Sequence, residues 1–214
     1  MFRKIYLFFG PPGSGKGTQS DMLGQKLKLP VISAGELLRY ARNHDKKRGP
    51  ALAKIIDQGK LVPDDLIFNL ISRRASRPDA KTGFILDGYP RHRQQLKDLL
   101  KLLKPQDRAY ALEIRVGRSE VYSRIGGRRV CDCGAAYHLK FNPPKKKGIC
   151  DLCGHKIYQR QDDVPRVIKK RFKDYEKWIK PIFAYFRKQQ KLIIINGQQS
   201  IAQVQRELLR KIKL

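Results

Sequence analysis

The chain has 214 residues, 41% of them apolar and 9% aromatic, a composition that excludes a disordered chain and predicts one packed core with small insertions. Its 47 Lys and Arg residues outnumber 19 Asp and Glu residues, and the formal net charge of +28 would attract anionic small molecules, nucleic acid or a membrane surface. Because no run approaches the roughly 18 uninterrupted apolar residues of a membrane span, we expect no membrane insertion and a location in the cytoplasm.

The apolar run Lys4–Phe9 predicts a strand that is buried on both faces, and not a secretion signal, because a glycine-rich loop follows it directly. A segment with helical spacing of its apolar residues comes after the loop. Further strands are predicted at 83–87, 109–116 and 192–196, and amphipathic helices at 64–75, 94–103 and 168–187, the last with a bend near Pro181. This alternation predicts an α/β fold, a parallel sheet with helices on both faces.

Two segments interrupt the alternation of strands and helices. Residues 33–62 are polar and helical in pattern, and residues 126–163 are rich in Gly, Pro and Cys. We therefore divide the chain into a core of residues 1–32, 63–125 and 164–214 and two insertions. Both insertions are predicted to lie over the carboxyl ends of the strands, where ligands bind in open α/β sheets.

The loop that follows the first strand has the pattern of a phosphate-binding loop. Residues 10–16 match Gly, four residues and Gly-Lys, but Gly17 stands where a hydroxyl residue is usual, and Thr18 follows it. Glycines allow backbone N–H groups to turn toward phosphate oxygens, and the N-terminus of the following helix adds positive potential. The flanking strand and helix are the context that this motif requires.

Four cysteines lie in the second insertion as Cys131-x-Cys133 and Cys150-x-x-Cys153. The second pair has the spacing of a zinc knuckle, whereas the first pair has only one residue between its cysteines. A metal site with a short first loop, disulfides and simple packing are the alternatives. A reducing cytoplasm favours metal ligands over disulfides.

Six motifs occur in order along the chain: GPPGSGKGTQ, ISAGELLR, GKLV, GFILDGYPR, GRRV and YQRQDD. Together they resemble the adenylate kinases of the nucleoside monophosphate kinase family in its long-lid form, over essentially the whole chain. The resemblance implies a P-loop NTPase-like sheet, a monophosphate-binding domain at 33–62 and a mobile lid at 126–163. It also implies reversible, Mg²⁺-dependent transfer of a phosphoryl group from ATP to AMP, giving two ADP, by an enzyme that we expect to be a monomer.

The resemblance also implies the residues that bind the two nucleotides. ATP would be bound by Gly13, Ser14, Gly15, Lys16, Gly17, Thr18, Arg124, Arg128, Ala136, Tyr137 and Gln199. AMP would be bound by Ala34, Arg39, Lys60, Leu61, Val62, Gly88, Tyr89, Pro90, Arg91, Gln95, Arg160 and Arg171. The catalytic cations would be Lys16, Arg91, Arg128, Arg160 and Arg171, since phosphoryl transfer needs positioning and charge neutralisation more than covalent help.

Three aspartates have two interpretations each. Asp87 ends an apolar strand, where it would hold Mg²⁺ through water or cap the turn into Gly88. Asp162 and Asp163 would orient lid arginines or cap the following helix, and the sequence does not decide between these roles.

Two residues give conflicting evidence about which nucleoside monophosphate is the acceptor. Gln95 resembles the glutamine that hydrogen-bonds the adenine of AMP in this family, whereas Ala34 replaces the usual threonine. The stretch SAGELLR is also similar to the uridylate–cytidylate kinases, so a UMP/CMP kinase is the alternative. The long lid and Gln95 favour AMP.

Many long-lid adenylate kinases carry a structural zinc, and the resemblance implies that Cys131, Cys133, Cys150 and Cys153 hold it here. His138 is a candidate substitute ligand. The cysteines and the positive charge also fit a zinc-ribbon nucleic-acid-binding protein, but that interpretation leaves the phosphate loop unexplained. Non-specific attraction of nucleic acid is therefore expected only as a secondary property.

Overall fold

The computed structural model describes residues 2–213 and confirms an α/β fold built on one parallel sheet. The strands are β1 (Lys4–Phe9), β2 (Val31–Ser33), β3 (Gly83–Asp87), β4 (Arg108–Arg115), β5 (Arg128–Val130), β6 (Ala136–His138) and β7 (Leu192–Asn196). The helices are α1 (Lys16–Leu27), α2 (Ala34–His44), α3 (Gly49–Asp57), α4 (Asp64–Ala75), α5 (Arg93–Leu102), α6 (Arg118–Gly126), α7 (Pro165–Lys188) and α8 (Ile201–Lys211), with a 3₁₀ turn at Pro78–Ala80.

The main sheet has five parallel strands in the order β2-β3-β1-β4-β7, so β1 is central. Side chains of β1 alternate between two apolar clusters, one on each face of the sheet. Ile5, Leu7 and Phe9 belong to the cluster that includes residues of α4, α5 and α7. Tyr6 and Phe8 belong to the cluster with residues of α1, α6 and α8. A strand covered on both faces has no polar side, which explains its continuous apolar run.

The parallel register brings the carboxyl ends of three strands to one edge of the sheet. Phe8 of β1 is paired with Asp87 of β3, and Asp87 is paired with Ser33 of β2. The glycine loop leaves β1 at this edge, and helix α2 begins directly after Ser33. The side chain of Ser33 accepts a hydrogen bond from the Glu36 N–H, which satisfies one of the free donors at the start of α2.

The two predicted insertions are a helical pair and a small, largely irregular unit. Helices α2 and α3 form the first, as the sequence predicts. The second contains the hairpin β5-β6, extended by isolated bridges such as Val130 with Tyr158 and Ile149 with Lys156. Both insertions contribute side chains to a common cleft at the carboxyl edge of the sheet.

Several element boundaries differ from the sequence prediction. Strand β4 lies one residue earlier than predicted, and helix α7 begins at Pro165, three residues earlier, because proline is favoured in a first helical turn. Helix α7 continues through Pro181. Strand β2, helices α6 and α8 and the β5-β6 hairpin were not predicted. None of the described helices is long and apolar enough to cross a membrane.

Candidate active site

The loop between β1 and α1 has the conformation of an anion cradle. Gly13 and Gly15 adopt positive φ angles of 75° and 88°, which glycine tolerates without strain. A Cβ on Gly13 would also lie only 2.6 Å from the side chain of Ile125. Gly15 is the N-cap of α1 and offers no side-chain cap to the first turn. The N–H groups of that turn are therefore available to a phosphate.

A cleft of about 780 Å³ opens above this loop, between the sheet edge and the two insertions. All eleven residues predicted to bind ATP line it, as does Asp87. Of the predicted AMP-binding residues, the cleft is lined by Arg39, Lys60, Gly88, Arg91, Arg160 and Arg171. An adjoining pocket of about 80 Å³ contains Leu61 and Pro90 and shares Lys16, Arg91 and Arg171 with the cleft.

Four predicted AMP-binding residues, Ala34, Val62, Tyr89 and Gln95, lie outside both cavities and are buried. The amide of Gln95 is already engaged within the protein: its Oε1 accepts from the Arg91 N–H at 2.8 Å, and its Nε2 donates to Asp64 at 2.9 Å. Gln95 therefore holds the loop that carries Arg91. A direct hydrogen bond from Gln95 to adenine stays a prediction.

The cleft concentrates positive charge around Lys16. Burial lowers the pKa of Lys16 to about 8, against the opposing attraction of Asp87. Burial also lowers the pKa of Arg171 to about 9 and that of Arg39 to about 10. In each case neighbouring guanidinium groups act in the same direction as burial. Buried cations whose pKa values are lowered by neighbouring cations would be stabilised by a bound polyanion.

Asp162 and Asp163 orient arginines and do not cap helix α7, whose N-cap is Val164. Asp162 accepts hydrogen bonds from Arg160 at 2.8 Å and from Arg171 at 2.6 Å. Burial alone would raise the pKa of Asp162, but the arginine charges outweigh it and hold the pKa at about 2. Asp163 forms an ion pair with Arg128. Of the two roles that the sequence left open, the structure therefore supports the orientation of arginines and not the capping of a helix.

The surroundings of Asp87 fit a magnesium ion held through water. Its Oδ1 atom is buried and has no hydrogen-bond partner among the described residues. A Cβ on Gly17 would lie 3.7 Å from Asp87 Oδ2, so the glycine leaves this side of the carboxylate uncrowded. Burial and the charge of Asp87 also raise the pKa of Asp21 to about 6, with Glu36 acting in the same direction. The local excess of carboxylate favours a divalent cation.

Arg124, in the last turn of α6, connects this helix to the phosphate loop and to the loop after β7. Its guanidinium donates to the Ser14 carbonyl at 3.3 Å, to the Gly197 carbonyl at 2.8 Å and to Glu120 at 2.8 Å. These contacts hold α6 against the phosphate loop and the loop between β7 and α8.

Sequence reasoning missed most of the cleft wall at the start of α8. This wall is formed by Gln198, Ser200, Ile201, Ala202 and Val204. The available signal was the capping box of α8, in which Ser200 and Gln203 exchange hydrogen bonds. A capping box locates the start of a helix but does not indicate which cavity that start faces.

The four cysteines form a cluster with the dimensions of a tetrahedral metal site. Their Sγ atoms all lie within 4.8 Å of one another. The pairs Cys131–Cys153 and Cys133–Cys150 are separated by 3.4 and 3.6 Å. Sulfurs about 2.3 Å from one zinc would lie about 3.8 Å apart. The thiols are free and not bridged, so the cluster fits a structural zinc and not the disulfide alternative.

His138 is not a substitute ligand in this cluster. Its Nε2–H donates to the Arg124 carbonyl at 2.8 Å, and its Nδ1 accepts from the N–H groups of Lys140 and Phe141 at 3.0 and 3.2 Å. The ring also covers Gly127, where a Cβ would lie 2.5 Å from it. His138 therefore braces the junction between the lid and α6.

Comparison with known proteins agrees with this geometry. The family model described as adenylate kinase matches residues 8–191. An adenylate kinase of Methanocella arvoryzae is 43% identical over 206 residues, which cover 93% of this chain and 94% of the relative. Those of Methanosarcina barkeri and Thermosipho melanesiensis are both 40% identical, and each alignment covers 97% of this chain, with 97% and 98% of the relatives. The chain belongs to the adenylate kinase family.

Proposed function

We propose that this protein catalyses the reversible, Mg²⁺-dependent transfer of the terminal phosphoryl group of ATP to AMP, with the cleft residues in the roles described below. One observation carries the proposal: Lys16 and arginines from the core and both insertions converge on one cleft beside a phosphate loop. Phosphoryl transfer needs this kind of site, because its transition state places charge on several oxygens at once.

The donor would lie along the phosphate loop, with its phosphates on the backbone N–H groups at the start of α1. Arg124 and the start of α8 form the wall beside this position. Lys16 would neutralise charge at the terminal phosphates, and Arg128 would reach them from the lid. When bound with ATP, Mg²⁺ supplies charge neutralisation between phosphate oxygens, and Asp87 is the residue that would hold it through water.

The acceptor would lie on the opposite side of Lys16, where Arg39, Arg91 and Arg171 line the cleft. Arg91 is fixed by its Nε–H bond to the Gly88 carbonyl at 2.9 Å and by the Gln95 side chain on its backbone. Planar guanidinium groups bind phosphate oxygens at two points, which suits an acceptor that must be held in line with the donor.

Arg160 and Arg128 belong to the lid, and each is already paired with an aspartate. We propose that closure of residues 126–163 over the nucleotides brings these guanidinium groups to the transferring phosphate and excludes water. Water would otherwise hydrolyse ATP. The proposed core, monophosphate-binding and lid domains keep the boundaries given above.

A coupled assay with ATP and AMP tests the proposal directly. We expect turnover that requires Mg²⁺ and both nucleotides. A zinc-ribbon nucleic-acid-binding protein would show no such turnover, so its absence from a folded, metal-loaded preparation would contradict the proposal. The non-specific attraction of nucleic acid stays a prediction from charge.

A separate question is which base the acceptor nucleotide carries. Ala34 is the observation that favours the UMP/CMP alternative. Ala34 is buried at the first position of α2, beside the sheet edge. We expect a higher kcat/KM for AMP than for CMP or UMP, and a larger AMP preference in Ala34→Thr. Ala41→Thr, on the same helix, is the matched control, and a wild-type preference for CMP or UMP would overturn the assignment to AMP.

The cysteine cluster would hold zinc to fold the lid and would take no part in the transfer itself. Free thiols at metal spacing suit a reducing cytoplasm, where we place the protein. One chain supplies residues for both nucleotide positions, which supports a monomer as the working unit.

A further inference from the structure

Tyr137 connects the cysteine cluster to the strand that borders the cleft. It is the central residue of β6, and its side chain is only 8% exposed. It follows the first cysteine pair in sequence, but its hydroxyl lies 3.4 Å from the Sγ of Cys150, in the second pair. The N–H of Asp151 approaches the same hydroxyl at 2.7 Å. Tyr137 thus contacts both the residues of the cluster and the peptide that follows Cys150.

The direction of these hydrogen bonds follows from the number of protons. A phenol has one proton to donate, and an amide N–H can only donate. The Tyr137 oxygen therefore accepts from Asp151, and its own proton is directed at the Sγ of Cys150. A thiolate is a much stronger acceptor than a thiol, because hydrogen bonds to a charged partner are strengthened. The arrangement suits a Cys150 that carries negative charge as a metal ligand.

Each cysteine pair lies in a turn that is closed by backbone hydrogen bonds. In the second pair, the Cys150 N–H donates to the His155 carbonyl at 2.8 Å, and the Gly154 N–H donates to the Cys150 carbonyl at 3.0 Å. In the first pair, the Cys131 N–H donates to the Ala135 carbonyl at 2.9 Å, and the Gly134 N–H donates to the Cys131 carbonyl at 3.0 Å. The Tyr137 hydroxyl is the side-chain donor that joins the second pair to β6.

We propose that Tyr137 is a positioning residue for the lid metal: its hydroxyl stabilises the metal-bound thiolate of Cys150 and ties the second cysteine pair to β6. The inference rests on the zinc site and not on the phosphoryl-transfer reaction. Hydrogen bonds of this kind withdraw charge from the ligand atom and fix its orientation. Their removal typically weakens metal binding by about 10- to 100-fold.

The test is the rate at which zinc passes from the full-length, zinc-loaded protein to a chromophoric chelator. Tyr137→Phe keeps the ring and removes the hydroxyl, and we expect zinc release about 10-fold faster than in the wild type. Tyr158→Phe is the matched control, since the Tyr158 hydroxyl lies in the same lid and donates to the Asp132 carboxylate at 2.6 Å. We expect its release rate to stay close to that of the wild type.

A second readout separates the hydrogen bond from general loosening of the lid. In the Co²⁺-substituted protein, the sulfur-to-metal charge-transfer band reports the charge on the thiolates. We expect this band to shift in Tyr137→Phe and to stay unchanged in Tyr158→Phe. Unchanged zinc release in Tyr137→Phe, equal acceleration in both variants, an unshifted band, or wild-type protein without zinc would each overturn the inference. Neither readout depends on turnover, so failure of the proposed reaction would remain a separate result.

Discussion

The core and the lid of this protein are stabilised by different kinds of contact. In the core, Leu7, Phe84 and Leu86 are fully buried within an extensive apolar cluster, and a second cluster covers the other face of the sheet. In the lid, the buried cluster consists of Cys131, Tyr137 and Cys150, with only Ala135 and Ile157 packed against it. The larger apolar side chains Leu139, Phe141 and Leu152 are exposed there.

One chain can therefore combine two ways of folding. The core buries enough apolar surface to fold through packing, whereas the lid, residues 126–163, is below the size of about 40 residues at which a hydrophobic core usually suffices. A metal can replace that missing core, because the free energy of binding zinc is also free energy of folding. We therefore expect the lid to gain and lose order with its metal while the sheet stays intact.

The largest expected effect is on turnover, in a variant whose folding should not change. Lys16→Met should reduce turnover by about 10³-fold or more, because the transition state loses its fixed cation. Zinc content and melting temperature should stay at wild-type values, since Lys16 lies in the core cleft and away from the cysteines. Steady-state kinetics with ATP and AMP, together with elemental analysis, measure both.

Lys26→Met is the matched control for this prediction. Lys26 lies in the last turn of the same helix and is exposed, so its loss should leave turnover unchanged. Near-wild-type turnover in Lys16→Met would remove the phosphate loop from the active site.

A cavity in the core should destabilise the sheet and leave the metal site intact. Leu86 is fully buried and paired with Leu7 and Ile32 on the neighbouring strands, so Leu86→Ala should cost about 2–5 kcal/mol in the free energy of unfolding. Urea unfolding of the zinc-loaded protein measures this. Leu139→Ala, at an exposed lid position, should change it by no more than about 0.5 kcal/mol.

Loss of zinc from a Leu86→Ala variant that is still folded would contradict independent stabilisation of the core and the lid. Zinc at one equivalent in the folded variant is the outcome that agrees with independent stabilisation of the two regions.

A smaller effect on stability is expected from the junction of core and lid when the pH changes. Burial lowers the pKa of His138 below its usual value, and the charges of Arg124 and Arg129 act in the same direction. The charge of Lys140 does so as well, while the hydrogen bond to the Arg124 carbonyl acts against them. The folded state therefore favours neutral imidazole. Its stabilising contribution is complete above about pH 6.5 and is lost as the pH falls toward the lowered pKa.

The measurement compares melting temperatures of wild type and His138→Gln, both saturated with zinc, at about pH 7.5 and about pH 5.5. Glutamine does not titrate in this range. The advantage of the wild type should therefore be larger at the higher pH. An advantage that is the same at both pH values would show that the charge of His138 does not matter to the junction.

Local patterns predicted the core of this structure well. The bounds of β1, β3, β7 and α4 match the prediction, because each is a run whose burial or amphipathic face is evident within a few residues. The phosphate loop could be predicted for the same reason, since its glycines and Lys16 lie within one turn of chain. Strand β2 was missed because three residues are too few to form a pattern.

The contacts that local sequence patterns could not predict join residues that are far apart in the chain. Gln95 bonds to Asp64, 31 positions away, and this pairing competes with the base contact that the family resemblance implies. The roles of Asp162 and Asp163 depend on where Arg171 and Arg128 lie after folding. His138 has the sequence context of a lid ligand, but its partner is a carbonyl at the end of α6. Such partners follow from tertiary structure and not from spacing.

Amide hydrogen exchange of the zinc-loaded and the chelator-treated protein tests most directly whether metal stabilises the lid while packing stabilises the core. We predict that chelation removes protection from residues 128–158, including β5 and β6, and leaves β1, β3 and β4 protected as before. Unchanged protection in the lid, or a loss that extends through the strands of the sheet, would contradict this account.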